Sequence, residues 1–316
     1  MSLKQIIELV DWAKQKGAHL HDQVEVYDDP HFGIALRVLS SKSKHGPEID
    51  PDPGHTHGLL PQSRIVSCPF NLSLSYLNAL DEFPILAAHS LRFPSLVFDD
   101  LEPHAIGHFF LVQQYLTVET SHWGPYIKSL PQPNEHERLG TPLYYSKADT
   151  EWIQGTNLEM AASARERSWK TEWKIGSDIL NKAIGFEQWK DLWTWELYKW
   201  AATIFSSRSF VSRLIPSEVF DRHLVSTASS IIEAPTRLGQ VTDGKGILDV
   251  SVQRALLARD DPLPVLFPLV DLANHSSAAK VTWFTNVNAE PKDLSIIVDS
   301  EIPEGNQIFN NYAPKR

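Results

Sequence analysis

The sequence predicts an α+β protein in which short strands near both ends of the chain flank a long helical segment. Close to the N-terminus, apolar residues alternate with polar ones on both sides of the turn-forming residues 28–33, a pattern typical of a β-hairpin. Within 84–210, apolar residues recur every three or four positions, as they do in amphipathic helices. Near the C-terminus, short apolar segments at 280–284, 294–298 and 307–309 again indicate strands.

These patterns divide the chain into three parts. The N-terminal part begins with a helix that ends near Gly17, because glycine is the usual residue just beyond a helix. We also expect a short helix at 71–80 in this part. The three parts are an N-terminal helix with the first strands (1–83), a helical insert (84–210) and the remaining strands (211–316).

The helical insert is rich in tryptophan. We expect one helix to begin at Pro103 and two long helices to occupy 158–183 and 186–205, with a loop at 123–131. Six tryptophans lie within 169–200, and several of them recur at helical spacing. A tryptophan stripe of this kind is more often a packed core than a ligand-binding cage, so we expect these residues to be buried.

Composition limits the classes of function. A chain of 316 residues with 42% hydrophobic and 22% charged residues is an ordinary globular protein. The net charge of −10 argues against nonspecific nucleic-acid binding and suits a basic protein partner. Cys68 is the only cysteine, which excludes an intrachain disulfide and a thiolate zinc cluster. Without a visible secretory signal or long apolar run, we expect no membrane partner and a cytoplasmic and/or nuclear location.

An exposed insertion at 40–60 contains three histidines, His45, His55 and His57. Histidine is a common metal ligand, but a metal site needs ligands that rigid structure holds in place. Since this segment is rich in proline, glycine and serine, we expect no bound metal.

Two polar clusters follow apolar segments near the C-terminus. Asp271, Asn274 and His275 come directly after an apolar run that ends at Val270. The second cluster, Asn310–Asn311–Tyr312, comes after the last predicted strand. Polar side chains at the ends of apolar strands are close to the core and do little for solubility. Burying them without hydrogen-bond partners costs free energy, so each is expected to have a partner. We therefore interpret both clusters as parts of a binding site.

These clusters resemble the paired motifs of SET-domain methyltransferases, specifically the branch typified by the Rubisco large-subunit lysine methyltransferase. In that branch a D-x-x-N-H-S segment and an N-N-Y-G-like segment occur in this order, and here they stand at 271–276 and 310–313. Ala313 replaces the usual glycine. Two further segments resemble the same branch, a W-x-P-Y-x-x-x-L-P sequence at 123–131 and an S-R-x-F sequence at 207–210.

The resemblance implies a SET domain, in which small curved β-sheets are interrupted by a large helical insert. It also implies a C-terminal pseudoknot that would bring Asn274 and His275 next to Tyr312. Relatives usually continue into a C-terminal helical domain that helps to bind substrate. This sequence stops at Arg316, so we expect either a truncated form or a shortened member of the family.

The resemblance further implies a site for S-adenosylmethionine and a catalytic tyrosine, Tyr312. Methyl transfer from a sulfonium is an in-line displacement, so positioning of the two reactants contributes much of the catalysis. A lysine amine must also lose its proton, which a dry, aromatic channel favours. The implied cofactor-binding residues are Gly33, Ile34, Ala35 and Leu36 through their backbone, Arg208 with Arg213 as a weaker second, Asp271, Asn274 and His275, and the implied channel residues are Trp283 and Phe309.

Ala35 departs from the family pattern, which has glycine at this position of a G-x-G-L turn. A methyl group there would disfavour a backbone with positive φ, so this departure bears most on cofactor affinity.

We therefore expect S-adenosylmethionine-dependent methylation of a lysine in a non-histone protein, ribosomal or other. Two alternatives stay open. Some relatives methylate histidine, and the sequence does not discriminate between the two acceptors. A catalytically silent binding module that keeps the fold is the second alternative, favoured by Ala35, Ala313 and the missing C-terminal domain. The degree of methylation also stays open.

Overall fold

The structure is a computed structural model that describes residues 3–30, 33–40, 58–80, 83–86, 89–91, 93–183, 191–216 and 263–312. The chain divides into two compact units. The first unit comprises Met1–Ser73, Leu214–Pro216 and Phe267–Arg316, and the second comprises Leu74–Arg213 and Ser217–Leu266.

The described helices and strands are segregated along the chain, as the α+β prediction requires. The helices are α1 (Leu3–Gln15), α2 (Ser95–Asp100), α3 (Pro103–Leu116), α4 (Gly124–Ser129), α5 (His136–Leu139), α6 (Lys147–Ile153), α7 (Asn157–Ala183) and α8 (Trp195–Arg208). The strands are β1 (His19–Leu20), β2 (Val24–Asp29), β3 (Gly33–Val38), β4 (Gly58–Leu59), β5 (Arg64–Pro69), β6 (Phe83–Leu86), β7 (His89–Leu91), β8 (Phe210–Val211), β9 (Pro264–Val265), β10 (Asn274–His275), β11 (Val281–Asn286), β12 (Asp293–Val298), β13 (Ile302–Pro303) and β14 (Gln307–Asn310).

The first unit contains two four-stranded sheets. One has the order β1-β5-β12-β11 and the other has the order β10-β14-β3-β2. The hairpin predicted on either side of residues 28–33 is confirmed, because β2 pairs with β3 antiparallel from Val24 opposite Val38 to Asp29 opposite Gly33. The alternation that predicted it places Ile34, Leu36 and Val38 in the core.

The second sheet of this unit joins distant parts of the chain. Strand β10 runs parallel to β14, with Asn274 opposite Phe309 and His275 opposite Asn310. Strand β14 runs antiparallel to β3, with Ile308 opposite Leu36. One end of this sheet therefore holds three neighbouring strand ends, which are the C-terminal ends of β10 and β14 and the N-terminal end of β3. We refer to this end as the sheet edge of the site.

The second unit has a helical core built around α3. Its side chains are buried from Ala105 to Gln114, and α3 packs against α7 and α8. Gly176 on α7 permits this close approach, because a Cβ built on it would overlap the ring of Phe109. Trp200 on α8 is fully buried and donates its indole N–H to the carbonyl of Pro131 at 2.7 Å. The interpretation of the tryptophan stripe as core holds for Trp169, Trp193 and Trp200, which are buried. It holds less well for Trp173 and Trp195, which are half-buried.

A polar network also lies inside this helical core. His108 is 4% exposed, and its Nδ1 lies 3.2 Å from the Tyr198 hydroxyl. That hydroxyl donates to Glu172 at 2.7 Å, and Glu172 also lies 3.2 Å from Nε2 of His104. Burial, with a smaller contribution from nearby His104, lowers the pKa of His108 to about 3. The network therefore links α3, α7 and α8 around a histidine that is neutral near pH 7.

Several local predictions are wrong. The expected helix at 71–80 is instead two short 3-10 segments, Phe70–Leu72 and Tyr76–Leu80. The predicted loop at 123–131 contains helix α4, and the start of the expected helical insert contains strands β6 and β7. The helix predicted from residue 186 has its N-cap at Thr194, whose side chain accepts a bond from Leu197 N, and residues 184–190 lie outside the described part.

No helix in the described part of the chain is both long and apolar enough to cross a membrane. The described residues also contain no group of three or more potential metal-binding side chains. His45, His55, His57 and Ala313 lie outside the described residues.

Candidate active site

Tyr312 and His275 meet at the edge of the sheet where β10 and β14 end. The backbone N–H of Tyr312 donates to Nδ1 of His275 at 3.3 Å, and the two ring centroids are 6.0 Å apart. The backbone N–H of Ser276 donates to the carbonyl of Asn310 at 2.9 Å, which continues the pairing of the two strands. The proximity expected between the N-H motif and Tyr312 is therefore confirmed.

The loop that follows β10 also contacts Asn311, the residue just before Tyr312. Nδ2 of Asn311 donates to the carbonyls of Ser277 and Ala279, at 3.3 and 3.5 Å. Asn311 therefore packs against the loop 276–280.

Trp283 on β11 forms an aromatic wall beside Tyr312. The two ring centroids are 6.0 Å apart and the ring planes lie at 71°. The indole N–H of Trp283 donates to Oδ1 of Asn310 at 2.7 Å. Since β11 belongs to the first sheet of this unit and β14 to the second, this hydrogen bond connects the two sheets.

Strand alternation separates the candidate residues into two groups. Residues directly opposite each other on paired strands point to the same side of the sheet. His275 and Asn310 therefore share one face, on which Asn310 contacts Trp283. Asn274 and Phe309 share the opposite face. The two predicted channel residues, Trp283 and Phe309, are thus not brought together on one face of β14.

The predicted backbone turn for the cofactor begins at Gly33, which has φ of +69°. This left-handed conformation favours glycine. A Cβ built on Gly33 would meet no atom within 4 Å, so the described structure leaves the backbone accessible there. Ala35 lies inside β3, is fully buried and is not among the residues with positive φ. The objection that its methyl group strains the backbone therefore does not apply.

Asp271 lies in the interior of the first unit. It is 5% exposed, and it is close enough to Cys68 on β5 to help raise the pKa of that thiol, after burial as the main cause. Of the two roles expected for this carboxylate, structural or cofactor-contacting, its position inside the unit favours the structural one.

Arg208 lies in the second unit, as the last residue of α8, and is partly exposed. Arg213, the weaker second candidate, is exposed and belongs to the same unit. The role of either guanidinium at the cofactor carboxylate stays a prediction.

The site residues fit a ligand that presents hydrogen-bond acceptors. Nδ2 of Asn274 is buried, and no described residue accepts a hydrogen bond from it. An unpaired buried donor costs free energy unless a ligand or water satisfies it. S-adenosylmethionine carries carboxylate, hydroxyl and ring-nitrogen acceptors, so Asn274 and the open backbone at Gly33 suit it.

The sequence indicates Asn310 only as a member of the polar cluster 310–312 and gives it no individual role. This side chain is fully buried on β14 and binds Trp283. The available signal was its position, since alternation places Asn310 on the same face as the buried Ile308, where a polar residue requires a partner.

Together, the parallel pairing of an N-H strand with a C-terminal strand, and the tyrosine that follows, define the fold of a SET-domain protein. No protein-family model matches the chain. The chain is 26% identical over 312 residues to the ribosomal lysine N-methyltransferase set10 of Schizosaccharomyces pombe, covering 98% of this chain and 43% of that protein.

Two solved structures of Rubisco LSMT, the branch that the sequence motifs indicate, share the fold. One is its SET domain bound to methyl-lysine and AdoHcy, with a TM-score of 0.61, 17% identity, and coverage of 98% of this chain and 53% of that one. The other is bound to sinefungin and monomethyllysine, with a TM-score of 0.61, 18% identity, and coverage of 100% and 54%. The chain thus spans about half the length of the proteins it matches. The SET fold expected from the sequence is confirmed.

Proposed function

We propose that the chain is an S-adenosylmethionine-dependent protein-lysine N-methyltransferase that acts on a non-histone protein, with a ribosomal protein as the first candidate. The observation that carries this proposal is the junction of His275, Tyr312 and Trp283 at one sheet edge. The name of the fission yeast relative supports both the lysine acceptor and the ribosomal substrate. A substrate of this kind would be met in the cytoplasm or the nucleus.

When bound, S-adenosylmethionine supplies a methyl group on a positively charged sulfur. Asn274 supplies a buried N–H donor for an acceptor on the cofactor. Gly33 presents open backbone to it, because no atom of the described residues lies within 4 Å of a Cβ built there. These residues fix the donor in place, which matters for an in-line displacement.

On the substrate side, His275 and Trp283 hold Tyr312. The hydrogen bond from Tyr312 N to His275 fixes the backbone, and the indole packs its edge against the phenol ring. The Tyr312 hydroxyl is then the group that orients the amine. Aromatic walls exclude water and disfavour the ammonium form, so the lysine reaches the site as the nucleophilic amine.

The test is methyl transfer to purified, salt-washed ribosomes from S-adenosylmethionine with a labelled methyl group. We expect label on one ribosomal protein, with mass spectrometry placing the added mass on a lysine. The same incubation without the chain is the control. Mass on a histidine would replace the proposal with the histidine alternative. No labelling of ribosomes or of cell extract, together with no calorimetric binding of the cofactor, would favour a silent module.

A further inference from the structure

Asn310 has a fully buried side chain in the middle of the candidate site. It is 0% exposed, and its Oδ1 accepts the indole N–H of Trp283 at 2.7 Å. The orientation of the carboxamide follows from this bond, because an indole nitrogen can only donate and must therefore face the oxygen. Nδ2 points away from Trp283, and no described residue accepts a hydrogen bond from it.

Packing alone is a poor explanation for this residue. A buried carboxamide with one group unsatisfied destabilises the fold relative to an apolar side chain of the same shape. Leucine has nearly the shape of asparagine and would fill the same position without that cost. The polar group therefore acts through the bond that it does make, the one to Trp283.

Trp283 connects Asn310 to Tyr312, because its indole contacts both side chains. The indole packs edge-on against the phenol ring, with centroids 6.0 Å apart and planes at 71°. Edge-to-face aromatic pairs have a preferred geometry, so fixing one ring restricts the other. The bond to Asn310 restricts the orientation of the indole, because its N–H must point at Oδ1 of Asn310 to form a bond of 2.7 Å.

We infer that Asn310 is a positioning residue for Tyr312 and that it acts by holding the Trp283 indole. The structural part of this inference stands by itself, and its effect on methyl transfer rests on the proposed function. His275 fixes the backbone of Tyr312, whereas Asn310 and Trp283 fix its ring.

The first experiment observes the tyrosine ring directly and needs no activity. All eight tyrosines are replaced by 3-fluorotyrosine, and the Tyr312 fluorine resonance is identified as the one that Tyr312→Phe removes. We expect a single narrow Tyr312 line in the wild type, and a broadened or split line in Asn310→Leu and in Trp283→Phe. Phe284→Ala is the matched control, because this exposed neighbour lies on the opposite face of β11, and it should leave the line unchanged. An unchanged Tyr312 line in Asn310→Leu would overturn the inference.

The second experiment separates positioning from stability. We expect Asn310→Leu to lower kcat for ribosome methylation roughly tenfold to a hundredfold, the scale of a small misplacement of a catalytic group. Its KM for S-adenosylmethionine and its urea midpoint should stay near the wild-type values. Asn310→Asp keeps an oxygen for the indole and should recover most of the rate. Adding Asn310→Leu to Trp283→Phe should cause no loss beyond that of Trp283→Phe alone, because Asn310 acts only through the indole that this variant lacks.

The outcomes distinguish the two proposals. A fall in the urea midpoint that accounts for the loss of rate, or additive losses in the double variant, would make Asn310 a stabilising residue only and overturn the inference. If the wild type neither binds cofactor nor transfers a methyl group, the proposed function fails. The fluorine spectra then still decide whether Asn310 positions Tyr312.

Discussion

The backbone N–H of Tyr312 donates to Nδ1 of His275 at 3.3 Å, although 37 positions separate the two residues. Because a backbone N–H can only donate, Nδ1 is the acceptor, and a neutral His275 ring must carry its proton on Nε2. The bond lies just beyond the pairing of His275 with Asn310. The pairing of β10 with β14 and the His275 side chain thus together fix the position of the Tyr312 backbone N–H.

Replacing Tyr312 with phenylalanine tests the hydroxyl. The phenyl ring keeps the contacts with His275 and Trp283, so the variant should fold and bind cofactor as the wild type does. We expect methyl transfer to fall by about 10² to 10⁴, the effect of removing one positioned catalytic group. Single-turnover transfer of a labelled methyl group to ribosomes measures this step. Unchanged turnover would remove Tyr312 from the catalytic role.

His275 offers a matched pair of substitutions. The side-chain oxygen of asparagine can take the place of Nδ1, whereas the amide of glutamine lies farther from the backbone and cannot. We expect His275→Asn to retain much of the activity and His275→Gln to lose roughly tenfold to a hundredfold, because Tyr312 N loses its acceptor and the ring moves. Initial rates and calorimetric cofactor affinity are the measurements. Equal losses in both variants would contradict the role of Nδ1 as the acceptor for Tyr312, and activity retained in His275→Gln alone would assign the function to Nε2.

The sequence predicted those parts of the site that depend on local pattern or on a short motif. The hairpin followed from alternation in 24–38, and the N-H and N-N-Y motifs indicated residues that do meet. Alternation indicated that Asn310 needs a partner but not that the partner is Trp283, because this bond depends on how two sheets pack. Tertiary packing also decides whether 71–80 forms an α-helix, which local periodicity could not reveal.

Gly33 and Ala35 provide a test of the backbone turn. With φ of +69°, Gly33→Ala is strained by about 1–2 kcal/mol even though space for the methyl group exists. We expect weaker cofactor binding in this variant, by calorimetry, as the turn relaxes. Ala35→Gly is the counterpart: since Ala35 lies in a strand without positive φ, restoring the glycine of the family pattern should not strengthen binding. A large gain in affinity for Ala35→Gly would show that the alanine methyl obstructs the cofactor.

The buried histidine of the helical unit predicts a dependence of stability on pH. The pKa of His108 is lowered to about 3 in the folded chain, mainly by burial, and returns to about 6.5 on unfolding. Between these values the unfolded state binds more protons, so the free energy of unfolding falls as the pH decreases below 6.5. At pH 5 this one group accounts for about 2 kcal/mol of lost stability. Glu172, whose pKa is lowered by its bonds to His104 and Tyr198, loses its contribution only below its ordinary range, near or under pH 4.5.

Urea unfolding at pH 7 and pH 5, followed by circular dichroism, measures this loss. His108→Gln keeps a polar group for the Tyr198 hydroxyl but does not titrate. Its stability should therefore fall by about 2 kcal/mol less than that of the wild type between the two pH values. Parallel pH slopes for the wild type and His108→Gln would contradict this prediction. They would mean that His108 is already protonated in the folded chain near pH 5, with its charge stabilised by nearby Glu172.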